Sequence, residues 1–115
     1  MKITVFLLLL LFVGAAAFAH APSAVDLSYN PATGELTIVV KHNVGQGGPA
    51  ASGHRISDVT VTVNGKRAVV TDYSYQQFAE GETAVFKLSL KKGDRVSVRA
   101  DCSIAGFKTA EYTVP

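Results

Sequence analysis

Arg95-Val96-Ser97-Val98-Arg99-Ala100-Asp101-Cys102 alternates without a break. Val96, Val98, Ala100 and Cys102 share one face at a period of two, and Arg95, Ser97, Arg99 and Asp101 share the other. A strand with one dry and one wet face has this pattern, whereas a helix would scatter the apolar positions around its circumference. Upstream, Ile56 to Val63 alternates too, with Val59, Val61 and Val63 on one face, and closes at Asn64-Gly65. Asn-Gly between apolar runs is a strong hairpin signal, because both residues tolerate the positive φ of a type I′ turn. Arg67 to Tyr75 continues on the far side.

The same rhythm extends in both directions. Val25 to Tyr29 and Leu36 to Lys41 are strands separated by the turn cluster Asn30 to Gly34. Ala84 to Leu90 is another, with Val85 facing opposite to Phe86, and Lys91 to Asp94 is a turn. Thr109 to Val114 ends the chain's last strand. About seven short strands with turn signals between them predict an all-β, immunoglobulin-like antiparallel β-sandwich. Tyr29, Tyr73, Tyr75, Phe78, Phe86, Phe107 and Tyr112 read as its core and edge aromatics.

The first residues read differently. Lys2 precedes an apolar run that ends at Ala17-Phe18-Ala19, followed by His20-Ala21-Pro22. A basic start, an apolar stretch of about 16 residues and a small-x-small site make a signal peptide; a membrane helix needs roughly 20. A cut after Ala21 would place Pro22 first, so the expected cut follows Ala19. Residues 1–19 are then a signal peptide and 20–115 a single mature domain, exported to the periplasm or secreted, with no stable membrane anchor after cleavage. A histidine at a free N-terminus can bind metal through both its ring and its amine.

Composition narrows the partners. A net charge of +2 with scattered Lys and Arg gives no nucleic-acid footprint. No Gly-x-Ser-x-Gly elbow, phosphate-binding loop or close pair of carboxylates appears. Chemistry is left to three histidines, His20, His42 and His54, and the single cysteine, Cys102. His42 and His54 flank the glycine-rich loop Val44 to Gly53, and all four residues fall at strand ends or loops, where a rigid scaffold presents ligands. Imidazoles with a thiolate suit iron, copper or zinc and not calcium or magnesium. A sandwich that gathers its strand ends at one pole would bring His42, His54 and Cys102 together there, with His20 joining if its segment packs beside the Cys102 strand.

The order His20-Ala21-Pro22, His42, His54-Arg55-Ile56, then Cys102-Ser103-Ile104-Ala105-Gly106 resembles the superoxide reductase family of desulfoferrodoxin and neelaredoxin. The lead-in Lys92 to Ala100 is also similar. The resemblance implies one non-haem iron on an immunoglobulin-like sandwich, with His20, His42 and His54 as equatorial ligands and Cys102 as the axial one. It implies reduction of superoxide to hydrogen peroxide, fed by an electron donor. Three features depart from the family's pattern. Ala105 stands where the family has its last histidine ligand, the loop between His42 and His54 is longer, and Phe18-Ala19 replaces the Glu-Lys before the first histidine, so only Lys41 or Arg55 remains as a nearby cation. The amine of a mature His20 would be one way to fill the missing position. The competing readings are an exported copper-binding or trafficking protein that uses an N-terminal histidine, and a metal-free interaction module.

Overall fold

The computed structural model describes residues 20–45 and 53–115. The expected signal peptide, 1–19, and residues 46–52 of the glycine-rich loop lie outside the described residues. The strands are β1 (Ala24–Asn30), β2 (Glu35–Lys41), β3 (Ile56–Val63), β4 (Lys66–Asp72), β5 (Gly81–Lys87), β6 (Arg95–Cys102) and β7 (Phe107–Thr113). They form two antiparallel sheets, β1-β2-β5 and β4-β3-β6-β7. This is the predicted sandwich. Among the described residues no helix is long and apolar enough to cross a membrane.

The local chemistry explains the arrangement. Asn64 and Gly65 adopt φ values of 51° and 81°. Val63 therefore pairs with Lys66 across a two-residue turn, and β4 must lie beside β3 rather than in the other sheet. Val59, Val61, Val96, Val98 and Ala100 are buried from one sheet, and Val25, Leu36, Ile38 and Val40 from the other. Val63 is half-buried against this core. Strict alternation would place Ile56 and Val59 on opposite faces, yet both are fully buried. A bulge reconciles them: Ile56 pairs with Cys102 and Asp58 with Asp101, leaving Ser57 as the extra residue.

Two strands differ in extent from the sequence reading. β4 ends at Asp72 rather than Tyr75, and Tyr73 to Gln76 turns away across the top of the sandwich. β5 begins at Gly81 and ends at Lys87, three residues ahead of the apolar run at each end. Pairing with β2 decides this, since Lys41 faces Gly81 and Glu35 faces Lys87.

Candidate metal centre

The pole of the sandwich where β2 ends and β3 begins carries the histidines. His42 follows β2 directly, and its amide donates to Glu80 O at 2.8 Å. Val44 N donates in turn to Ala79 O at 2.9 Å, so the chain beyond β2 stays tied to the segment leading into β5. His20 arrives from the other side. Ser23 N donates to Lys41 O at 2.8 Å, which runs the segment before β1 back along Lys41, His42 and Asn43. Pro22 is buried and anchors it.

His54 is set by the turn after β6. The Ser103 hydroxyl donates to Gly53 O at 2.7 Å and accepts from Arg55 N at 3.0 Å. Ser103 N donates to Arg55 O at 2.8 Å. These three bonds grip the residues on either side of His54.

The three imidazoles converge. Ring centroids are 4.9 Å apart for His20 and His42, 5.0 Å for His20 and His54, and 4.6 Å for His42 and His54. One ring nitrogen from each lies within 4.8 Å of the others. His42 is fully buried, His54 nearly so, and His20 is exposed. Among the described residues, the cluster meets solvent at His20. Burial and the neighbouring imidazoles of His42 and His20 push the pKa of His54 below its ordinary value. Neutral imidazoles grouped this closely are a donor set for a first-row transition metal or zinc.

Around the rings the polar contacts are dense. His42 Nδ1 lies 2.8 Å from Gln76 Oε1, and its Nε2 lies 3.2 Å from the His20 carbonyl oxygen. His20 Nδ1 is 3.0 Å from Ala21 O and its Nε2 is 2.9 Å from Asn43 O. Gln76 is fully buried. Neither Gln76 nor Ser103 was singled out by the sequence. Each is a common polar residue in a loop, and only tertiary placement gives it a role.

Cys102 is outside the group of three. It is buried at the end of β6, opposite Ile56. Its Sγ accepts from Ile104 N at 3.5 Å. The expected trio at this pole was His42, His54 and Cys102; the third member brought within ligand distance is His20, because Lys41 and Ser23 extend the β1–β2 ladder up to it. Ala105 is half-buried in the same turn as Cys102. Of the two nearby cations, Arg55 donates to Tyr73 O at 2.9 Å and Gly53 O at 3.2 Å, and Lys41 lies 3.7 Å from Asp26 in a solvated pair.

No family model matches the chain, and no curated protein is similar to it. Among solved structures, it is similar to the superoxide reductase from Nanoarchaeum equitans, with a TM-score of 0.50 at 14% identity, covering 84% of this chain and 94% of that one. The fold is superoxide-reductase-like. At this identity the likeness is one of fold, and the case for a metal rests on the histidines themselves.

Proposed function

We propose that this chain is an exported metal-binding protein in which His20, His42, His54 and Cys102 would hold one iron, and that it reduces superoxide to hydrogen peroxide. The observation that carries the reading is the convergence of three histidines at one pole of a superoxide-reductase-like sandwich. Removal of residues 1–19 on export is part of the proposal. Iron held by these residues would supply one-electron chemistry: superoxide plus one electron and two protons gives hydrogen peroxide, and the electron would have to come from an external one-electron donor.

The residues divide the work. His42 is held from behind by its buried hydrogen bond to Gln76, and His54 by the Ser103 bonds to the residues on either side of it, which gives the centre rigidity. His20 stands on the solvent side, where a small anion can approach. Cys102 stands at the end of β6 in the turn that also carries Ser103, and the Ile104 amide suits a sulfur that carries negative charge, since hydrogen bonds to a ligating thiolate tune its metal. Arg55 keeps a positive charge beside the His54 loop.

Metal analysis and optical spectra of the purified exported protein test this. Iron at one equivalent, a thiolate-to-iron charge-transfer band in the oxidised form that vanishes in Cys102→Ser, and superoxide consumption in rapid mixing are the expected results. Copper in place of iron would favour the trafficking reading. Equal metal content in wild type and in His42→Ala/His54→Ala would leave the metal-free module.

A further inference from the structure

The environment of Gln76 determines which nitrogen His42 offers. The Gln76 Nε2 lies 2.8 Å from His42 O, 2.6 Å from Phe78 O and 3.4 Å from Ala79 O. All three partners are main-chain acceptors, so that end of the side chain is the amide NH₂. The other end accepts the Ile56 amide at 3.1 Å, as only an oxygen can. With the carboxamide oriented from both sides, Oε1 faces His42 Nδ1 at 2.8 Å. Nδ1 must therefore carry the proton, and the neutral ring has its lone pair on Nε2.

We propose that Gln76 is a positioning residue that holds His42 in the Nδ1–H tautomer and makes Nε2 its metal donor. A metal-bound histidine is normally fixed in this way, through a hydrogen bond from its other ring nitrogen. A second observation points the same way. With Nδ1 protonated, the Nε2 lone pair and the His20 carbonyl oxygen face each other as two acceptors 3.2 Å apart. A cation held at Nε2 would relieve that contact. The functional half of this inference rests on the metal-centre reading; the tautomer does not.

Nitrogen-15 long-range correlation spectra of the metal-free wild-type domain above pH 7.5 read the tautomer directly. The expected result is a His42 ring protonated at Nδ1. A proton on Nε2 overturns the proposal. Gln76→Met removes the acceptor and keeps the volume, and circular dichroism reports whether it folds. In folded Gln76→Met, His42 should become a mixture of tautomers and zinc affinity should fall about 10- to 100-fold. An unchanged tautomer and unchanged affinity in that variant also overturn the proposal. Should Gln76→Met not fold, the wild-type spectrum still decides. Failure of zinc to bind wild type sinks the metal-centre reading, while the spectrum judges Gln76 on its own.

Discussion

Gly106 rests directly against Ala21: a Cβ at position 106 would come within 2.8 Å of the Ala21 Cβ. The turn after β6 is thereby seated on the segment that carries His20. Gly106 also holds φ at +78°, where an L side chain is strained.

Gly106→Ala therefore acts twice. The strained backbone costs roughly 1–2 kcal/mol, and the added methyl pushes the His20 segment away from the His54 side. The domain should still fold, with a lower melting temperature and weaker zinc binding. Isothermal titration against wild type measures the second effect. A variant that loses stability but keeps full zinc affinity would show that the contact does not position His20.

Ala105 stands next to that contact, half-buried between Cys102 and Gly106. A histidine there would lie in the turn that packs against Ala21. Ala105→His should supply the donor that the resemblance lacks and tighten zinc or iron binding by about tenfold or more, roughly 1.4 kcal/mol. Competition with a chelator of known affinity checks this. Unchanged affinity in a folded variant would mean that the turn aims residue 105 away from the ions.

The legible part of this molecule is the part written at short range. Arg95 to Cys102 alternates strictly, and β6 occupies those residues. Asn64-Gly65 specifies its own turn, and that turn dictates the β4-β3 pairing. Where pairing with a distant strand decides, local pattern fails: β5 is displaced toward Gly81 by its ladder with β2. Ile56 and Val59 disagree in parity, a hint of the bulge that the alternation alone leaves unread. The histidines were visible as candidates through their rarity and motif order. Gln76 and Ser103 were not, because their roles arise from loops 34 and 50 residues away in sequence from His42 and Gly53.

The opposite pole offers a control. The Tyr29 hydroxyl donates to Leu88 O at 2.8 Å and accepts from Leu90 N at 3.2 Å, tying β1 to the segment after β5. Tyr29→Phe removes both bonds, while Leu90 N still donates to Leu88 O at 3.1 Å, and should cost about 0.5–1.5 kcal/mol. For a domain of this size each kcal/mol lowers the melting temperature by about 4–8 °C. Metal affinity should stay at the wild-type value. A matching loss of affinity would mean that global stability, not the local cluster, governs binding.

The last prediction concerns acid. Burial first, and then the imidazoles of His42 and His20, lower the pKa of His54 from 6.5 in the folded domain. The unfolded chain titrates near 6.5, so below that value it binds the proton that folded His54 resists. Linkage then gives the sign: stability falls as pH drops from about 6.5 toward the folded-state pKa, and His54 adds no slope above 6.5. Asp58 and Glu82 work the other way. Burial raises both, so their contribution is present at low pH and is lost as pH rises through their folded-state values. Their effect is common to wild type and a His54 variant, and subtracting one melting curve from the other removes it. Metal-free wild type should thus melt lower at pH 5.5 than at pH 7.5, and His54→Gln should shrink that difference. Saturating zinc at pH 7.5 should raise the wild-type melting temperature, because a ligand that binds only the folded state stabilises it, and should do so far less in His54→Gln. Parallel pH profiles for the two proteins would mean that His54 sits in a more solvated environment than its burial beside two imidazoles implies.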